Sequence, residues 1–121
     1  MKRRVLALPL AAVTAVTAVA VTGVGAQAGT PSLNASVGPG FTITLKKSDR
    51  RVTRLSAGSY RFRVADRSSS HNFHLTGPGV NRRTSVSGTG TSTWNVRLRR
   101  GTYRYVCDPH ASTMKGSFAV R

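Results

Sequence analysis

The chain has 121 residues, with 19 Lys plus Arg against three acidic side chains and a formal net charge of +16. That length supports one domain with one modest core and excludes a second core. Three Asp and no Glu leave no candidate pair of catalytic carboxylates, so acid–base hydrolysis of that type is excluded too.

Lys2, Arg3 and Arg4 form a positive start, Val5 to Val24 is an apolar run rich in Ala and Val, and Ala26-Gln27-Ala28 is a small-residue cleavage pattern. Residues 1–28 therefore read as a secretory signal peptide. The competing reading is an uncleaved anchor, since the run is long for a signal peptide. Pro9, the Thr residues within the run and the A-x-A site favour cleavage. Arg3-Arg4 lacks the rest of a twin-arginine signal, and no Cys near the cleavage site offers a lipid anchor. Cleavage after Ala28 leaves Gly29 to Arg121, with 16 basic residues against Asp49, Asp66 and Asp108. The exported domain then carries about +13 and should attract polyanions. Nucleic acid is the usual partner of such a charge, but export argues against it. Anionic envelope polymers or an acidic redox protein fit better, and no membrane span remains after cleavage.

Residues 29–40, rich in Gly, Ser, Thr and Pro, read as a linker or a frayed first strand, with the folded domain spanning 41–121. From Phe41 the pattern has period two. Phe41, Ile43 and Leu45 share a face, then Tyr60, Phe62 and Val64, then Trp94, Val96 and Leu98, then Tyr103, Tyr105 and Cys107, and finally Phe118 and Val120. Such alternation marks strands with one buried and one wet face. Glycine and serine clusters such as Ser56-Ala57-Gly58, Gly77-Pro78-Gly79 and Arg100-Gly101 separate them. No helical period of useful length occurs. The expected fold is all-β, a Greek-key β-sandwich of about seven to eight strands, and a monomer. The string L-x-x-G-x-Y occurs twice, ending at Tyr60 and at Tyr103, and has the form of a tyrosine corner. Arg61, Arg63, Arg97, Arg99 and Arg104 point outward by parity. They make a basic face if their strands share a sheet, or else solvated charges that guard strand edges.

Cys107 is the single Cys, which in an exported protein needs burial, a partner chain or a metal. It lies in Cys107-Asp108-Pro109-His110-Ala111-Ser112-Thr113-Met114, where thiolate, imidazole and thioether occur within eight residues at the end of a strand. Soft sulfur with imidazole selects copper, and His₂Cys with a weak axial Met is the electron-transfer set. Zinc would want four strong ligands, which a thioether is not. Cys–His hydrolysis would need a third group to orient the His, and Asp108 points the wrong way by parity. Gly88-Thr89-Gly90 is only a weak phosphate signal. A second His must come from Ser70-His71-Asn72-Phe73-His74-Leu75. His71 shares the inward parity of Phe73 and Leu75, which leaves His74 as a surface residue.

These residues, His71-Asn72 early and Cys107-x-Pro109-His110-x-x-x-Met114-x-Gly116 late, resemble the plastocyanin branch of the cupredoxins, over most of the chain from Phe41 onward. The resemblance implies that His71, Cys107, His110 and Met114 bind one copper ion cycling between Cu(I) and Cu(II). It implies that Asn72 tethers the two ligand loops, and that the protein is a one-electron carrier with no catalytic residues. His110 would be the exposed edge for electron passage. Copper delivery without electron transfer is the alternative, and a basic envelope-binding sandwich is another. The sequence departs from the family in three ways: the loop between His110 and Met114 is one residue shorter, Val106 replaces the usual Tyr before the Cys, and the acidic surface of the plant proteins is replaced by a basic one.

Overall fold

The computed structural model describes residues 11, 12, 14–18 and 29–121. The signal segment at 1–28 and its cleavage site at 26–28 lie largely outside the described residues. Among the described residues, no helix is long and apolar enough to cross a membrane.

Ten strands follow in order: β1 Ser32–Val37, β2 Ile43–Lys47, β3 Arg50–Arg51, β4 Arg54–Leu55, β5 Gly58–Asp66, β6 His74–Gly77, β7 Val80–Arg83, β8 Gly90–Leu98, β9 Gly101–Val106 and β10 Lys115–Val120. One 3₁₀ turn, Asp108–His110, interrupts them. They form two five-stranded sheets, in the orders β3-β2-β1-β5-β8 and β4-β10-β9-β6-β7. The expected seven to eight strands become eight once the two-residue strands β3 and β4 are set aside.

Period-two alternation drives both sheets together. Tyr60, Phe62 and Val64 on β5, Trp94, Val96 and Leu98 on β8, and Tyr103 and Tyr105 on β9 are all buried, while their neighbours Arg61, Arg63, Arg97 and Arg104 are exposed. Burying each such side chain contributes roughly 1.5–3 kcal/mol. Stacked pairs tie the second sheet internally: Phe73 on Tyr105 and Tyr103 on Phe118, each with ring centroids 5.4 Å apart. The outward arginines do not share one sheet. Arg61, Arg63 and Arg97 lie on the first, Arg104 on the second, and Arg99 follows the end of β8.

Two segments differ from the sequence expectation. Residues 32–37 are neither linker nor frayed strand. β1 sits inside the first sheet, antiparallel to β2 and parallel to β5, with Leu33, Ala35 and Val37 buried. The small and polar residues that suggested a linker are its exposed alternate positions. Phe41 does not join the core either. It precedes β2 on a loop closed by Gly38 N–H to Thr42 O and Thr42 Oγ1–H to Pro39 O, and its ring is 70% exposed.

Both L-x-x-G-x-Y strings form corners. The Tyr60 hydroxyl donates to Ser56 O at 2.7 Å. The Tyr103 hydroxyl accepts from Arg99 N–H at 2.9 Å and donates to Pro78 O at 2.7 Å, so it clamps the β6–β7 turn onto the β8–β9 connection. Tyr103→Phe strands two part-buried backbone groups and should cost about 1–3 kcal/mol, whereas Tyr60→Phe should cost about 1 kcal/mol. Urea denaturation of the two variants checks this, and equal losses would show that the bond to Pro78 contributes nothing.

Candidate metal centre

β9 is the middle strand of the second sheet, between β10 and β6, so the residue that follows its last position is carried into the interior at one end of the sandwich. That residue is Cys107, fully buried. The chain then turns at once. Pro109 lies in the first turn of the 3₁₀ segment, where it costs no hydrogen bond. His110 N–H donates to Cys107 O at 2.9 Å, Met114 N–H to His110 O at 2.8 Å, and Cys107 N–H to Met114 O at 3.0 Å. The loop closes on itself through the backbones of the three ligand candidates it carries. Met114, 1% exposed, then leads into β10.

His71 comes from the β5–β6 connection and is 4% exposed. Its Nδ1 lies 3.1 Å from His110 Nδ1 and 3.6 Å from Cys107 Sγ, and His110 Nδ1 lies 3.7 Å from that sulfur. These three side chains are the one group among the described residues whose His, Cys, Asp or Glu donor atoms converge as a metal site does. A triangle with those sides has a circumradius of about 2.0 Å, close to the bond that imidazole makes to a first-row metal. Two imidazoles, a thiolate and a thioether on the same loop fit copper rather than zinc.

Asn72 joins the two loops. Its Nδ2 donates to Asp108 Oδ2 at 2.7 Å and to Thr84 O at 3.2 Å, while its Oδ1 accepts Asp108 N–H at 2.8 Å. Its own backbone N–H points at Cys107 Sγ, 3.5 Å away. Thr84 Oγ1 accepts Phe73 N–H at 2.9 Å and extends the latch to the end of β7. Burial opposes ionisation of Asp108, but the Asn72 and His74 hydrogen bonds and the charges of His74 and Arg83 outweigh it and hold the carboxyl below its usual range. Behind His71, burial pushes the Asp66 carboxyl up, an effect that the Ser68 amide and His71 partly offset.

His71, Cys107 and His110 therefore meet, with Met114 buried on the same loop as Cys107 and His110, but the parity argument for His71 does not describe the backbone. Residues 71–73 precede β6, and His71, Asn72 and Phe73 are buried consecutively. His71 points inward because the connection between the sheets crosses the end of the core. His74 is not simply a surface residue. With its side chain only 17% exposed, it holds Asp108 Oδ1 at 2.7 Å and Asn81 Oδ1 at 2.6 Å. Sequence reasoning also missed Phe41, whose ring stands edge-on to His71 and His110 with centroids 5.3 and 5.0 Å away. An aromatic residue beside a Pro-Gly turn was the available signal, and its parity with Ile43 concealed it.

A two-sheet sandwich with this donor set at one end is the architecture of a type 1 copper protein, a cupredoxin. The family model of copper binding proteins of the plastocyanin/azurin family matches residues 42–121, and the chain belongs to that family. Among solved structures, reduced rusticyanin at 1.9 Å is 21% identical, with 74% of this chain and 78% of that chain covered and a TM-score of 0.56. The copper protein rusticyanin at 2.1 Å is 19% identical, with 74% and 76% covered and a TM-score of 0.56. Rusticyanin from Thiobacillus ferrooxidans at 1.27 Å is 20% identical, with 74% and 76% covered and a TM-score of 0.52. No curated protein sequence matches the chain.

His71→Ala should lose the intense copper–thiolate absorption, and His74→Ala should retain it while losing about 1 kcal/mol of stability with its hydrogen bonds. Visible spectra and denaturation of the copper-loaded variants check both. Retention of the band in His71→Ala would remove His71 from the site.

Proposed function

We propose that this protein is an exported one-electron carrier. The observation that carries the reading is the donor triangle held from both sides, by the self-closed Cys107–Met114 loop and by the Asn72 latch. Copper, when bound, supplies the one-electron couple between its Cu(I) and Cu(II) states. The chain supplies rigidity. Three buried ligand residues and backbone hydrogen bonds leave the donors little room to move when the charge at the site changes, which keeps reorganisation small. Asn72 N–H, directed at Cys107 Sγ from 3.5 Å, adds a contact that helps fix the sulfur in place.

His110 is the least buried ligand, and together with Phe41 it forms the outward edge of the centre. A redox partner approaching there meets an apolar ring over two imidazoles. Carrier action is favoured over catalysis because protein donors fill the ligand set, whereas catalytic metal sites keep an open position for substrate. Export is supported by the character of residues 1–28.

The charge layout supports an acidic partner. Among the described residues His74–Asp108 is the only salt bridge, so no Lys or Arg is paired with a carboxylate. An acidic redox protein therefore meets an uncompensated positive field. Arg67 follows the end of β5 that leads into the His71 connection, while Arg97 lies toward the opposite end of β8.

Loading with Cu(II) should give an intense blue or green band and a narrow copper EPR splitting, and Cys107→Ser should abolish the band. The loaded protein should cycle reversibly in voltammetry and keep its metal against a competing chelator. Rapid loss to the chelator would favour copper delivery instead. Association with an acidic redox protein should slow tenfold or more as the Debye length shrinks from roughly 30 Å to under 10 Å. Stopped-flow measurements should show Arg67→Glu slowing it more than Arg97→Glu, and a flat salt dependence would sink the electrostatic reading.

A further inference from the structure

A second feature lies on the outer face of the second sheet, against the metal-binding loop. Across the β9–β10 ladder, Arg104 opposes Ser117 and Val106 opposes Lys115. All four face outward by parity. Arg51 of β3 reaches the same place from the first sheet, and Ala111 bounds it from the loop. Together they line a cleft of about 580 Å³, within the roughly 300–1,000 Å³ of small-ligand sites. The cleft holds three cations and no carboxylate. Among the described residues, the side chains of Arg51, Arg104 and Lys115 make no ion pair, and none stacks on an aromatic ring.

Other basic clefts differ. Beside β7 and β8, Arg82 is already engaged, its guanidinium 5.4 Å from the Trp94 ring centroid. The cleft containing Arg83 also contains the Asp66 carboxyl. A groove of about 420 Å³ on the first sheet has Lys46, Arg63 and Arg67, but it runs over a sheet face without apolar walls larger than Ala. The β9–β10 cleft alone of these combines three unengaged cations with an apolar side, formed by Val106 and Ala111, and with a boundary from a separate sheet.

We propose that this cleft is a binding site for a compact polyvalent oxyanion. Three like charges converging from β3, β9 and β10 repel one another, and a shared anion relieves that repulsion. Arginine forks match phosphate and carboxylate oxygens with paired hydrogen bonds, Lys115 adds a point charge, and the Ser117 hydroxyl adds a donor. The loop at one end and β3 at one side favour a compact ion over a running polymer.

The position also couples the cleft to the metal centre, and this part rests on the copper reading. Val106 precedes Cys107, Ala111 follows His110 and Lys115 follows Met114. A bound anion sets negative charge beside three ligand residues and so favours the more positive, oxidised state. It lowers the reduction potential, and by linkage the oxidised protein binds the anion more tightly.

The test is an NMR titration of the ¹⁵N-labelled Cu(I) protein with pyrophosphate and, separately, citrate, at constant ionic strength held with chloride. One-site saturable shifts at the amides of Arg51, Arg104, Val106, Ala111, Lys115 and Ser117 are expected. Binding should weaken tenfold or more in the doubly substituted Arg104→Gln, Lys115→Gln protein and stay unchanged in Arg61→Gln, Arg63→Gln. Tighter pyrophosphate binding assigns a phosphate ligand, and tighter citrate binding a carboxylate one. Shifts that do not saturate, or that spread equally over the first-sheet groove, reduce the cleft to a counterion cloud and overturn the proposal. Voltammetry tests the coupling: the potential should fall on adding the anion to the parent protein and not to the Arg104→Gln, Lys115→Gln protein. An unchanged potential in the parent overturns the coupling. If the copper reading itself fails, the thiolate band is absent, and the same titration on metal-free protein still decides the anion site.

Discussion

Asn72 and Asp108 form the contact on which the centre depends. His71 and Cys107 lie 36 positions apart and on different connections, so nothing in local geometry holds them together. Two hydrogen bonds of 2.7 and 2.8 Å between Asn72 and Asp108 fix one loop against the other. The bond from Asn72 Nδ2 goes to a carboxylate held below its usual range by its surroundings, and such charge-assisted bonds are about twice as strong as neutral ones like its companion from the Asp108 backbone N–H. His74 and Thr84 continue the network into β6 and the end of β7. The sheet therefore supports the latch, and the latch supports the ligands.

The same network explains how so basic a domain accommodates its few acids. Asp66 is buried at the metal end and Asp108 is committed to Asn72 and His74, which leaves Asp49 in the β2–β3 turn as the one uncommitted acid of the folded domain. Ser48 and Asp49 both adopt positive φ there, as a two-residue hairpin turn between right-twisted strands requires, and Asp tolerates that conformation better than most residues. One uncommitted acid cannot neutralise the sixteen cations of residues 29–121. They repel one another, a cost that hydrophobic burial in the twin sheets offsets, and their field is directed outward at whatever the protein meets.

Phe41 shows how a parity argument fails at a strand's edge. Its spacing from Ile43 and Leu45 places it on the inward face of an extended strand, but β2 begins only at Ile43. Before that point the chain follows the turn through Gly38 and Gly40, both at positive φ. The ring swings off the core and covers the imidazole edge of the centre instead. Such a residue costs some exposed apolar surface, and its contacts with His71 and His110 give it a place at the outlet of the site.

The amino-acid order alone determined the sandwich and the donor set. Period-two burial is a property of each strand by itself, and the types Cys107, His110 and Met114 fall within one short loop whose spacing is chemical information. His71 was legible only in part: the sequence selected the histidine that the fold brings beside Cys107 and His110, while the buried run at 71–73 shows that a crossing connection, not strand alternation, turns it inward. Asn72 could be assigned its tether from family resemblance, yet its partners Asp108 and Thr84 could not. The central position of β1, the distribution of the arginines over two sheets, the Phe41 cover and the cationic cleft were decided by tertiary structure. Each depends on which strands become neighbours and which loops share an end of the sandwich, and those pairings join residues too distant in the chain for any local pattern to record.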